Sequence, residues 1–173
     1  PKNISILYVP TLYSGNHMYG PFRNLEDAQY QEWQRALVST LPSLTVKSHP
    51  KSRGEYQLAA AIDERSLETA IPDYDLFVID YYSTAATLSL FSDKVVLLFD
   101  LGLRRLTDSF SEAISTRVVC KSINLRASLK PQIQDGLSQA VDLGKAHSNH
   151  HLEQYSLNHE PDYRLGGLLR SFL

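Results

Sequence analysis

"YDLFVIDYYSTAATLSLF" occupies residues 74 to 91, and its reading decides the fold. Leu76 to Ile79 are apolar without interruption, which marks a strand buried on both faces of its sheet. Asp80 ends the run, and Ser83 or Thr84 then caps a helix over the residues that follow. A fully apolar strand followed at once by a capped helix is the repeating unit of a parallel αβ sheet.

Outward from this unit the pattern recurs. "ISILYVP" (4 to 10), "LTVKS" (44 to 48), "KVVLLFD" (94 to 100) and the weaker "RVVCKS" (117 to 122) read as strands. Leu25, Ala28, Trp33, Ala36 and Leu37 stand at helical spacing after an expected cap at Asn24, with Asp27 three positions on. "YQLAAAI" (56 to 62) reads as a short helix and "SLETAI" (66 to 71) as a further turn or two. A helix capped by Thr107 or Asp108 follows over 107 to 115, and Ser128 opens one carried by Leu129, Ile133, Leu137 and Val141. The expectation is a single doubly wound, Rossmann-like parallel sheet of about five strands with helices on both faces, within residues 1–145. Residues 146–173 read as a polar connection and a C-terminal helix.

The 173 residues, 43% of them hydrophobic, suffice for one compact domain and not for two ordinary ones. A formal charge of −2 gives no global pull toward nucleic acid or an anionic membrane. Cys120 is the single cysteine, which excludes an internal disulfide and Cys-rich zinc sites. No basic–apolar leader stands at Pro1, and no apolar run approaches the ~18–20 residues of a membrane span. An opening that enters a strand almost directly suggests a domain cut from a longer chain.

In a doubly wound sheet, ligands bind beyond the carboxyl ends of the strands, where the strand order switches. Thr11 and Ser14 follow the first strand, and His49, Pro50 and Lys51 the second. Ser83 and Thr84 follow the third, with Arg104 and Arg105 after the fourth. Ser83 and Thr84 stand where free backbone N–H groups favour an anion, although plain N-capping is the simpler account of either alone. His49 is equally a satisfied strand-end histidine when taken alone. Together, on different strands and aimed at one edge, they favour a phosphate site. Arg104 and Arg105 are candidate diphosphate contacts or solvated charges.

"TVKSHPK" (45 to 51), followed by "YDLFVIDYYSTAATLSL" (74 to 90), resembles the nucleotide-binding, C-terminal half of GT-B transferases that use cytidine-activated donors. Two groups share such segments: the teichoic-acid glycerophosphotransferases, with a K-x-HP motif before a "D-ITDYSS" segment, and the bacterial sialyl- and polysialyltransferases, with HP and SS/ST motifs. The likeness runs in order from residue 4 to about 120. It implies that His49, Ser83 and Thr84 contact the CMP part of a CMP- or CDP-linked donor, with no other cofactor. It also implies a role in capsule, teichoic-acid or other surface polysaccharide synthesis in bacteria. The implied location is cytoplasmic, at the inner face of the cell membrane, with peripheral membrane association of the longer chain. A missing N-terminal half would supply the general base and meet the acceptor glycan, leaving this chain to bind without turnover. The motif here is "DYYST", one tyrosine longer than the family's, and "FDLGLRRLTDSF" (99 to 110) departs from the glycerophosphotransferase pattern.

Alternatives stay open on the sequence. They are a non-catalytic nucleotide- or sugar-binding module, a receiver-like interaction domain, or a GT-B nucleotide-sugar epimerase. "YVPTLYS" (8 to 14) lacks the acidic cluster that a receiver requires. His147 and His151 stand at i, i+4 beside His150 and His159, but no third anionic ligand accompanies them; a solvated linker is expected and no metal. No G-x-S-x-G, P-loop or G-x-G-x-x-G is present, and the tyrosines form no array for stacking nucleic acid. Leu165, Leu168, Leu169 and Phe172 form an apolar stripe, from which self-association or packing on the missing half is expected.

Overall fold

The computed structural model describes residues 4–11, 25–49, 58–92 and 94–145. Its strands are β1 (Ile6–Val9), β2 (Leu44–Val46), β3 (Ala61–Ile62), β4 (Leu76–Ile79), β5 (Val95–Asp100) and β6 (Val118–Ser122). Its helices are α1 (Asp27–Thr40), α2 (Leu67–Ala70), α3 (Thr84–Leu90), α4 (Asp108–Ile114) and α5 (Leu129–Lys145), with a 3-10 turn at Ile71–Asp73. Among the described residues the strands form one sheet, all pairs parallel, in the order β3-β2-β1-β4-β5-β6. The expected α/β, doubly wound sheet is what the chain forms, with six strands in place of about five.

The extra strand corrects the helix expected over 56 to 62. Ala61 and Ile62 pair with Thr45 and Val46 at the sheet edge. Three consecutive alanines favour a helix locally, but two ladder positions beside β2 prevail. A second correction concerns α1. Its N-cap is Glu26 rather than Asn24, and Gln29 Oε1 accepts from the Glu26 N–H at 3.2 Å, one arm of a capping box.

Strand alternation sorts the core into two layers. Ile6, Tyr8, Leu76, Val78, Leu97 and Phe99 face α1 and α5, while Leu7, Phe77, Ile79, Val96 and Leu98 face α2, α3 and α4. On the first face Trp33 of α1 is fully buried and meets Phe99 edge-on, ring centroids 5.0 Å apart. Gly136 of α5 lies against the same ring: a Cβ there would stand 2.7 Å from Phe99 Cε1. The glycine lets α5 approach the sheet closely. The chain leaves β1 toward α1 on one face and leaves adjacent β4 toward α3 on the other. The carboxyl ends of β1 and β4 therefore form the switch point.

Candidate functional site

A cleft of about 560 Å³ opens beside that switch point. Thr11 enters it from the end of β1, Lys47 and His49 from the end of β2, and Ser83 and Thr84 from the end of β4. Three separate strands thus deliver these groups to one cavity, because parallel strands present all their carboxyl ends at one edge. Of the residues singled out in the sequence, Thr11, His49, Ser83 and Thr84 are brought together here. Pro50, Lys51 and Ser14 lie outside the described residues, as do the histidines at 147 to 159 and the stripe at 165 to 172.

Each wall has a distinct chemistry. Ser83 is the N-cap of α3, its Oγ accepting from the Ala85 N–H at 3.3 Å. That bond uses a lone pair and leaves the hydroxyl proton free to be donated. Thr84 is exposed at the first helical position. With seven residues, α3 is too short for much of a dipole, so the hydroxyls and side-chain charges set the cleft's polarity. Lys47 supplies one positive charge to the lining and the Glu68 carboxylate one negative charge. Such a pair suits a ligand with an anionic part and a hydroxyl-bearing part better than a bare polyanion.

Arg104 and Arg105 do not line this cleft. They stand beyond Tyr81, in a smaller cavity of about 160 Å³ at the ends of β4, β5 and β6, and in the groove between α3 and α4. Arg104 Nη1 donates to the Tyr82 carbonyl at 2.8 Å, and its guanidinium carbon lies 5.8 Å from the centre of the Tyr81 ring. Tyr81 lines both the cleft and the smaller cavity, so it is the partition between them.

Sequence reasoning named Asp80 only as a strand-end residue and missed the cluster around it. Asp80 is 2% exposed. Its Oδ2 accepts from the Tyr8 hydroxyl at 2.5 Å and the Tyr30 hydroxyl at 2.7 Å, and its Oδ1 accepts from the Thr11 N–H at 3.0 Å. Gln34 Nε2 donates to the Tyr8 oxygen at 3.3 Å. Burial raises the Asp80 pKa above the ordinary aspartate value; the two phenols and the Thr11 amide oppose that rise by favouring the anion. Burial, then the Asp80 charge, pushes both tyrosines well above their usual range. The Trp33 indole N–H also favours the anion, yet makes no hydrogen bond of good geometry.

No protein-family model matches the sequence, and no curated protein matches it significantly. Solved structures do. The chain superposes on spinosyn forosaminyltransferase SpnP with a TM-score of 0.55 at 12% sequence identity, over 98% of this chain and 44% of that one. It also matches a glycotransferase of kitacinnamycin with a TM-score of 0.44 at 15% identity, over 85% of this chain and 41% of that one, a likeness too low to carry argument. At such identities the likeness concerns the fold alone. One parallel αβ sheet spanning 44% of a glycosyltransferase chain fits one half of a GT-B architecture.

Proposed function

We propose that this chain is the donor-nucleotide-binding half of a glycosyltransferase or glycerophosphotransferase that builds a bacterial surface polymer from a CMP- or CDP-linked donor. The observation that carries the reading is the convergence of Thr11, His49, Ser83 and Thr84 on one switch-point cleft that also holds Lys47. The hydroxyls and the imidazole N–H donate to phosphate oxygens, and Lys47 balances their charge. In group transfer from a nucleotide, negative charge grows on the leaving phosphate, so donors fixed there stabilise the transition state more than the ground state. Glu68 is placed to accept from hydroxyls of the nucleotide or sugar. Residues beyond this chain supply the general base and the acceptor site. The work is done at the cytoplasmic face of the membrane. Among the described residues no helix is long and apolar enough to cross one.

Calorimetric titration of the chain with CMP, CDP, UMP, ADP and GDP tests the proposal. The cytidine nucleotides are expected to bind most tightly, and a purine preference overturns the cytidine assignment. His49→Ala is expected to weaken CMP binding by about 1–3 kcal/mol, the cost of losing a hydrogen bond to a charged group. A His49→Ala protein that melts early and binds CMP normally would make the histidine structural.

A further inference from the structure

Asp80 lines the smaller cavity that meets the cleft at Tyr81, and it divides its two oxygens between different tasks. Oδ2 takes the two phenols, Tyr8 from the middle of β1 and Tyr30 from α1. Oδ1 takes the backbone N–H of Thr11, the residue that carries the β1 end into the cleft. Resting on the nucleotide-binding reading above, we infer that Asp80 is a positioning residue, which fixes the Thr11 backbone at the cleft rim through Oδ1 while the phenols hold its carboxylate still through Oδ2.

The cluster has the parts such a role requires. A carboxylate can accept at both oxygens at once, and no neutral side chain of the same shape can. Asparagine in its place has one accepting oxygen. If that oxygen occupies the Oδ2 position, both phenols stay satisfied, and the amide NH₂ faces the Thr11 N–H, donor against donor. The opposite amide orientation restores the Thr11 bond but leaves two buried phenol protons without an acceptor. Each arrangement leaves two groups without an acceptor, the Thr11 N–H and the amide in the first and the two phenol protons in the second. Thr11 is half-buried at the rim, where water can serve it, whereas both phenols are buried, so the first prevails. Asp80→Asn therefore cuts the link to Thr11 and keeps the rest of the cluster. Burial raises the pKa of this carboxyl, and a desolvated carboxyl beside the switch point is a common mark of a functional site.

The test compares Asp80→Asn with Tyr30→Phe, which removes one donor from Oδ2 and leaves Oδ1 alone. Two quantities are read: CMP affinity by calorimetry, and the hydrogen-exchange rate of the Thr11 amide by NMR. Asp80→Asn is expected to accelerate Thr11 exchange while Leu7 and Tyr8 in β1 keep their protection, and to weaken CMP binding about tenfold. Tyr30→Phe, which leaves the Tyr8 hydroxyl on Oδ2, is expected to shift both readings less than Asp80→Asn does, and an equal or larger shift overturns the assignment of the role to Oδ1. Unchanged Thr11 exchange in Asp80→Asn overturns the inference, whether or not any nucleotide binds. Faster exchange with unaltered CMP affinity overturns it too, because the rim then does not need fixing. A parent chain that binds no CMP overturns the nucleotide-binding reading, and the exchange rates still decide whether Asp80 anchors Thr11. Should Asp80→Asn not fold, Thr11→Pro removes the N–H and retains the carboxylate. Compared with Thr11→Val, which removes only the hydroxyl, it is expected to lose about tenfold more CMP affinity, and equal affinity in the two variants overturns the inference.

Discussion

Asp63 and Asp80 each follow the last residue of a parallel strand, β3 and β4, and both are buried, at 8% and 2% exposure. Their surroundings differ. Asp63 faces the guanidinium of Arg65, which donates from Nε at 3.0 Å and Nη2 at 2.6 Å, and it also accepts from the Tyr74 hydroxyl at 3.0 Å. Arg65 reaches on to Asp73 at 2.5 Å, tying the end of β3 to the 3-10 turn before β4. Among the described residues, Asp80 has hydrogen-bond donors but no ion-paired cation. The Arg65 hydrogen bonds hold the Asp63 carboxyl well below the usual carboxylate range, whereas burial drives Asp80 the other way. An ion-paired aspartate at a half-exposed edge fastens the fold. A buried one held by neutral donors at the switch point weakens the fold as an anion, and its benefit lies in the geometry it imposes.

The largest expected effect separates shape from charge at Asp80. Asp80→Ala strands two buried phenols and the half-buried Thr11 N–H and opens a void, so it is expected to cost about 2–4 kcal/mol of stability. Asp80→Asn keeps the shape and two of the three bonds while removing the buried charge, and its melting temperature is expected to stay within a few degrees of the parent's. At Asp63 the order reverses in kind. Asp63→Asn keeps the shape but loses the charge that Arg65 grips, and it is expected to lower the melting temperature more than Asp80→Asn does. Thermal melts of the three variants decide. A stable Asp63→Asn beside an unstable Asp80→Asn would invert the comparison.

The same contrast sets opposite pH dependences. Asp63 has a lowered folded pKa, so its contribution is complete above the unfolded value of about 3.9 and is lost as pH falls through the folded one. Asp80 has a raised folded pKa, so between that unfolded value and its own the native chain binds the proton more tightly. Its contribution therefore declines as pH rises through that window and levels off above it. Titrations common to parent and variant cancel in a difference. The stability of Asp80→Asn relative to the parent is thus expected to grow from pH ~4 upward and then flatten. Denaturant melts of both proteins from pH ~4 to ~8 measure it, and a difference that shrinks with rising pH would remove Asp80's charge from the account.

The sequence disclosed what local pattern can carry. Leu76 to Ile79 and Val95 to Phe99 are apolar without a break and form central strands, and the ends of β1, β2, β4 and β5 were legible because apolar runs stop at polar residues. Hence Thr11, His49, Ser83 and Thr84 could be placed at one edge before any coordinate was known. Ala61–Ile62 was not legible: two exposed residues in an alanine run owe their strand state to β2 alone. Nor was the Asp80 cluster, because Tyr8 lies 72 positions away and Tyr30 lies 50. In the sequence those tyrosines are simply large residues in an apolar strand and an amphipathic helix. The signal that could have raised them is a phenol at an inward position, which must find a partner if it is buried. The separation of Arg104 and Arg105 from the cleft depends on where the Tyr81 ring lies, and that is set by tertiary packing.

The smallest expected effect is a matched pair of deletions. Tyr30→Phe and Tyr74→Phe each remove one phenol proton from a strand-end aspartate, at 2.7 Å from Asp80 and 3.0 Å from Asp63. The chemistry of the change is the same, so any difference reports the surroundings. Among the described residues Asp80 keeps the Tyr8 hydroxyl and the Thr11 amide, and at 2% exposure it has less access to solvent than the Asp63–Arg65 pair. Losing the Tyr30 bond is expected to cost about 1 kcal/mol, near the mean for a hydrogen bond. Asp63 keeps the Arg65 guanidinium, and Tyr74 is itself half-buried, so water replaces much of what the phenol supplied. Its loss is expected to fall below about 0.5 kcal/mol, within the usual range for surface changes. Urea midpoints at unchanged m-value resolve the two. Equal costs would mean that the two carboxylates are solvated alike, and the distinction between a fastening aspartate and a positioning one would lose its physical basis.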